Sequence, residues 1–276
     1  MDAQKNTVTI PMAILAAAII IAGAVFLSRG GATVDVFKAQ PQATGQSQQS
    51  DITAPQAINS RPVDSSDHII GNPNANIVMV EYSDLECPFC KAFHATLQSI
   101  IGTYGKTGQV AWVYRHFPLS IHPRSPKESQ AAECAWQLAG NDGFWNYVNK
   151  VFSVTPSNNG LDPAQLPVIA GEIGLNVDQF NTCLNSGKYA SKIQADYNDG
   201  LNAGVNGTPN TVLVLKTPLT DAQAQQLSGI NQSFMQNMAP GSPNVITIDP
   251  SKLKVDIGGA IPAQTMKQII DLLLGK

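Results

Sequence analysis

Two kinds of hydrophobic run divide the chain. The first, residues 12–27 (MAILAAAIIIAGAVFL), is almost wholly apolar, and no charged side chain occurs from residue 6 to residue 28. At ~1.5 Å per helical residue, residues 10–27 span roughly 27 Å, close to the ~30 Å core of a bilayer. Residues 1–29 therefore read as a membrane anchor. Signal-peptide cores are usually shorter, but Ala22-Gly23-Ala24 imitates a cleavage site, so a removed signal peptide stands as the alternative. Lys5 balances Arg29 and Lys38, and flanking charge leaves the orientation open.

Residues 30–66 read as a flexible linker. Within them, 39–66 is rich in Gln, Ser, Ala and Pro, has no aromatic residue, and shows neither helical nor strand periodicity. Such a segment buries too little apolar surface to offset its ordering entropy.

Beyond it the runs become short and periodic. Residues 77–82 (IVMVEY) predict a buried strand that leads into 83–90 (SDLECPFC) and a helix to about residue 101. Residues 110–116 (VAWVYRH) predict a second strand. From 125 to about 203 the pattern is helical, with breaks near 141–143 and 156–162. Helix starts fall at Asp162-Pro163 and at Asp178 as an N-cap, and Pro167 blurs the limits of the helix it enters. After Gly207-Thr208-Pro209 come strands at 211–215 and 253–257, then an amphipathic helix at 262–274. A long connection, 216–246, carries Leu227, Ile230, Phe234 and Met238 at helical spacing, a stripe that covers a core. This order, βαβ, helices, then ββα, predicts one α/β domain over 67–276. It has a mixed central sheet and a helical insertion at about 120–190.

Seventeen basic and twenty acidic residues give a net charge of −3, without the basic stripe a nucleic-acid partner needs. No P-loop, dinucleotide fingerprint or serine-hydrolase elbow occurs, so no cofactor is expected. The four cysteines are Cys87, Cys90, Cys134 and Cys183. A CxxC pair can be redox-active, half of a zinc site, or two buried thiols. Zinc wants four ligands. His94 is a possible third, but Cys134 and Cys183 are isolated singletons, and no metal site is expected. Placing Cys87 at a helix N-terminus favours its thiolate, and Pro88 suits the first helical position. Cys90, one turn in, becomes the resolving thiol. Glu81 is a carboxylate in an apolar strand and reads as a proton carrier for Cys90. His68, His116 and His122 read as surface or strand-end residues, and Trp112, Trp136 and Trp145 as core aromatics. Cys134 and Cys183, each in an apolar helical context, are expected to form a structural disulfide across the insertion.

Gly71-Asn72-Pro73, residues 80–84 (VEYSD) with CPFC, residues 115–119 (RHFPL) and residues 205–209 (VNGTP) together resemble the DsbA family, in its membrane-anchored form. The resemblance spans 67–276. It implies a thioredoxin fold with an inserted helical domain, Cys87 and Cys90 as the redox pair, Pro209 as a cis-proline facing them, and Thr208 beside the sulfurs. Phe89 departs from the family's usual His, which implies a less depressed Cys87 pKa. The implied function is a protein disulfide oxidase on the extracytoplasmic (periplasmic or extracellular) side of the cell membrane, held by the N-terminal helix. Its expected partners are cysteine-containing secreted polypeptides and a quinone-linked, DsbB-like membrane protein. A disulfide reductase or isomerase and a non-catalytic, chaperone-like binding module are the alternatives.

Overall fold

The computed structural model describes residues 57–276. The segment read as an anchor or signal, and most of the linker, lie outside the described residues. Among the described residues, 57–276, no helix is long and apolar enough to cross a membrane.

In chain order the elements are β1 (His68–Ile70), β2 (Ile77–Ser83), α1 (Pro88–Ile100), β3 (Val110–His116), α2 (Ser125–Val154), α3 (Gln165–Glu172), α4 (Val177–Ser186) and α5 (Ala190–Ala203). Then come β4 (Asn210–Leu215), α6 (Asp221–Met235), β5 (Ile246–Ile248), β6 (Lys254–Gly258) and α7 (Ala263–Leu273). The sheet order is β1-β3-β2-β4-β6-β5. Only β2 and β3 run parallel, with α1 as their crossover. This is a thioredoxin-type mixed sheet with α2–α5 inserted.

Every residue of β2 is buried because helices or chain cover both faces of the sheet. Ile77 and Met79 join Trp112, Tyr114, Leu213 and Ile257 in the larger core under α1, α2 and α7. Val78, Val80 and Tyr82 join Val113, Val212, Phe117 and Val205 in a smaller core on the other face. The second face is tightly closed at Gly200, where a Cβ would stand 2.6 Å from the Phe117 ring.

Several expectations need correction. Residues 57–66 are not spacer: Ile58 is buried in the second core, and its amide donates to Asp249 at 2.8 Å. Arg61 bonds Asp67 and Asp196. The composition is polar, but one apolar anchor and one guanidinium suffice to dock it. The α2 break lies at Ala139 and Gly140, whose φ of +64° favours glycine. The N-cap of α4 is Asn176, which accepts from the Gln179 amide, and Asp178 sits in the first turn instead. Pro163 lies in the turn before α3. Pro167 is the third residue of that helix, where an N–H needs no intrahelical partner. The connection 216–246 does form a helix, α6, over the core, with Leu227 buried; Met238 falls past its end and is exposed.

His68, His116 and His122 are buried rather than superficial, and Trp136 is partly exposed rather than core. His68 and His116 both bond one oxygen of Glu133, at 2.8 and 3.2 Å, and the Lys192 ammonium lies 3.6 Å from it. The three buried groups lie close enough together to hold a metal ion. Lys192 already supplies a cation to the carboxylate, so the cluster reads as an ionic cross-link from the sheet to α2. On the other face Arg115 is wholly buried between Asp67 and Asp199.

Cys134 on α2 and Cys183 on α4 are bonded to each other, with 49 residues between them in sequence. Closing a loop of that size implies about 4 kcal/mol of stabilisation. The Cys134→Ala/Cys183→Ala variant is therefore expected to lose about that much in denaturant unfolding. Titration of the denatured, unreduced protein with its Cys87–Cys90 pair blocked should find no further thiol.

Candidate functional site

The polar end of β2 sets the site. After Ser83 the chain leaves the sheet, and Asp84 shapes the next turn. One of its oxygens accepts from the Glu86 amide at 2.8 Å; the other accepts from the Leu119 amide and lies 2.8 Å from His122 Nδ1. Glu86 ties the same turn to the insertion, its carbonyl accepting from the Asn158 amide and its carboxylate from the Gly160 amide. Burial, then a hydrogen bond to Glu86, pushes the Glu128 carboxyl up to about 10. The Glu128 carboxyl thus keeps its proton at neutral pH. Asp84, Glu86 and His122 in loops and Glu128 in the first turn of α2 escape a sequence reading because acids and a histidine at such positions ordinarily face water. The one available signal was the pair of acids, Asp84 and Glu86, in 84–86 (DLE), between apolar segments.

Cys87 is the N-cap of α1, and Pro88 occupies the first turn. Both cysteines are free thiols and buried. A hydrogen bond from Cys90 is the largest influence on the Cys87 thiol. With the Cys90 and Phe89 amides and Thr208, it outweighs burial and brings the thiol from 9.0 down to about 6. Burial and the neighbouring Cys87 drive Cys90 the opposite way, well above an ordinary thiol. The Asp84 amide donates to Cys90 Sγ at 3.5 Å. The pair is asymmetric: one sulfur is an anion at neutral pH, and the other keeps its proton.

The Thr208–Pro209 bond is cis. The loop delivers the Thr208 carbonyl to within 3.5 Å of Cys87 Sγ, where it accepts from the thiol when Cys87 is protonated. The Thr208 hydroxyl is buried without another partner and favours both thiolates. The Phe89 side chain, two residues along the chain from Cys87, is 65% exposed and carries no polar group. Glu81 sits at 0% exposure on the α1 side of β2, one oxygen accepting from Trp112 Nε1 at 3.0 Å. Burial raises its carboxyl to about 7, while Ser83 and Trp112 hold it back. Its charge bears on Cys90. His94 bonds Asn149 at 2.7 Å and packs on Trp112, and burial lowers its pKa to about 4. It is a core residue, not a ligand. The structure thus gathers Cys87, Cys90, Thr208 and Pro209, with Glu81 within charge reach, and places Cys134–Cys183 apart in the insertion.

A family profile described as Thioredoxin matches residues 64–228. Wolbachia pipientis alpha-DsbA1 superposes over 77% of this chain and 93% of its own, with a TM-score of 0.57 and 26% identity. The chain belongs to the thioredoxin-fold DsbA family. Pseudomonas aeruginosa DsbA2 shares the fold at a TM-score of 0.53 and 22% identity, over 75% of this chain and 94% of its own. Among curated proteins, the Na(+)/H(+) antiporter NhaA 1 of Mycolicibacterium gilvum is 31% identical over 153 residues. That match takes in 54% of this chain and 24% of the antiporter, so the chain covers only about a quarter of that relative. As a DsbA-family protein, the chain is a thiol–disulfide oxidoreductase with a CxxC pair.

The Glu81 carboxyl gives a measurable signature. Its pKa rises from 4.5 in the unfolded chain to about 7 in the fold, so between those values the native state holds the extra proton. Stability must then fall as pH rises through that window, by roughly 3 kcal/mol in total. In the oxidised protein, Glu81→Gln should remove that fall. Denaturant unfolding of both proteins at pH 4.5 and pH 8 measures it, and parallel profiles would place Glu81 in water.

Proposed function

We propose that this protein oxidises cysteine pairs in secreted polypeptides outside the cytoplasm and is reoxidised by a quinone-linked, DsbB-like membrane protein. The observation that carries the direction is the Cys87 thiolate, held by Cys90, Thr208 and the first amides of α1. In the forward step a substrate thiolate attacks Cys87 Sγ of the disulfide. The Cys87–Cys90 bond breaks, a mixed disulfide forms, and Cys90 leaves and takes a proton. Glu81, which titrates near neutrality beside it, is the proposed carrier of that proton. A second substrate thiolate then attacks the substrate sulfur of the mixed disulfide, and Cys87 departs as a thiolate. The substrate loses two electrons and the protein gains them. A stable Cys87 anion makes that last departure favourable.

The Cys134–Cys183 bond supports a location in an oxidising compartment, where such bonds persist. The apolar run at 12–27 supports a tether to the cell membrane, which keeps the domain near a membrane oxidant. The reductase reading draws on Phe89, an apolar ring where a hydrogen-bond donor would stabilise the thiolate further.

Three measurements test the direction. Only the part of a pKa shift below ambient pH stabilises the reduced form. A thiol at about 6 rather than 9.0 is therefore worth about 1.4 kcal/mol at pH 7, or ~30 mV for a two-electron couple. The potential should lie above that of thioredoxin (roughly −270 mV) and below that of DsbA (roughly −120 mV). Its slope should change from about 60 to about 30 mV per pH unit near pH 6, as one of two protons ceases to be taken up. Iodoacetamide reaction at Cys87 should show the same midpoint. Alkylation trapping in growing cells should find the pair oxidised, and reduced once the quinone pathway is blocked. A pair that is reduced in untreated cells would overturn the oxidase reading in favour of a reductase.

A further inference from the structure

The turn before α1 carries one buried acid that the redox chemistry above does not use. Glu86 directly precedes Cys87 and is wholly buried. Its carbonyl accepts from the Asn158 amide at 2.8 Å, and its side-chain Oε2 accepts from the Gly160 amide at 3.2 Å. Both donors belong to residues 155–161, in the connection between α2 and α3 of the insertion. One loop, more than seventy positions away in sequence, thus holds both the main chain and the side chain of a single residue.

That loop has an unusual backbone. Ser157, Asn158 and Asn159 have φ of 64°, 52° and 62°, three consecutive non-glycine residues in the left-handed region. Such a conformation persists only where its surroundings over-determine it. Here the Ser157 amide donates to Thr155 Oγ1 at 3.0 Å, and Asn159 Nδ2 donates to the Ile121 carbonyl at 3.1 Å. The Gly160 amide divides its donation between Glu86 and the Ser157 carbonyl, which is 3.0 Å away. A Cβ at position 160 would stand 2.8 Å from that carbonyl, so the close approach requires glycine. The loop is rigid, and it is aimed at Glu86.

Glu128 closes the arrangement from the first turn of α2. It is buried and bonded to Glu86, and because it keeps its proton it is the donor in that bond. Glu86 therefore meets three donors, two amides and one carboxyl. The residue that follows it is sensitive to position. Cys87 is stabilised as an anion partly by the Cys90 and Phe89 amides, and such bonds weaken steeply with distance and angle. A site of this kind must be held to within about 0.5 Å to keep its chemistry.

We propose that Glu86 is a positioning residue for thiol exchange: seated on the 155–161 loop and on Glu128, it holds the start of α1 so that Cys87 Sγ stays on the Phe89 and Cys90 amides. The role belongs to the reach of the side chain and not to its charge. This inference rests on Cys87 being the attacking sulfur, applies to either direction of exchange, and adds which residue outside CPFC sets the reactivity of that sulfur.

The test compares the full chain with two variants. Glu86→Gln keeps the length and an acceptor oxygen without the charge, whereas Glu86→Asp keeps the charge and falls one methylene short of the Gly160 amide. Iodoacetamide kinetics on the reduced proteins give the Cys87 midpoint, and equilibration with glutathione gives the stability of the disulfide. Glu86→Gln should stay within about twofold of wild type in both. Glu86→Asp should raise the midpoint by about one pH unit, slowing alkylation at pH 6 about fivefold and moving the glutathione equilibrium at pH 7 about fivefold toward the disulfide. Wild-type values in Glu86→Asp would overturn the inference, because a tie that merely adds stability leaves both readouts alone. A larger effect in Glu86→Gln than in Glu86→Asp would also overturn it, by making charge the cause. Should Glu86→Asp not fold, Glu128→Leu removes the carboxyl donor from the α2 side without changing the charge. It should raise the midpoint in the same sense, and no rise would sink the idea. If wild-type Cys87 titrates near 6 and the variants match it, only the role of Glu86 falls. If wild-type Cys87 titrates as an ordinary thiol near 9.0, the thiolate that carries the oxidase reading falls as well.

Discussion

A strand covered on both faces cannot send its polar residues to water, and in β2 that constraint governs everything that follows. Glu81, Ser83 and Asp84 come at the end of an apolar run and are buried with it. Each needs a partner inside the protein or must give up its charge. Asp84 takes the first course, gathering the Glu86 and Leu119 amides and His122, and so fixes the turn that presents Cys87. Glu81 takes the second, keeping a proton until about neutrality. The same constraint on the neighbouring strand β3 explains Arg115, buried between two aspartates from distant parts of the chain.

The two sulfurs obey it in opposite ways. Cys87 meets amides, a hydroxyl and a second thiol, so the anion is stabilised despite burial. Cys90, deeper and under the influence of Glu81 and Cys87, has no comparable support. The difference of one helical turn between chemically identical side chains separates an exchangeable anion from a reserve thiol. What positions them is mostly backbone: a helix start, a strand end and the loop through Pro209.

Much of this was legible in the amino-acid order because it rests on local rules. The alternation in 77–82, the proline after Cys87 and the run VNGTP before a β-branched strand all place elements without long-range information. What stayed hidden depends on pairs far apart in sequence. His68 and His116 look like surface residues until Glu133 is seen to join them. Arg61 looks like a linker residue until Asp67 and Asp196 close on it. The strand β5 is three residues long and exists by pairing with β6, so no periodicity announces it. Asp178 and Asn176 compete for one cap, and the geometry of the preceding loop decides between two equally suitable side chains.

The docking of residues 57–61 also defines the practical border of the domain. Their carbonyls receive Lys254 and Arg115, and Arg61 closes the aspartate cluster around that buried guanidinium. A shortened chain beginning at His68 would lack Asp67 as well, leaving Arg115 with Asp199 and an open flank. The composition of the segment marks it as dispensable, yet trimming there would uncover a buried cation and loosen the sheet edge that carries β5 and β6. Secretion signals, tags or fusion partners joined to this protein therefore belong upstream of residue 57.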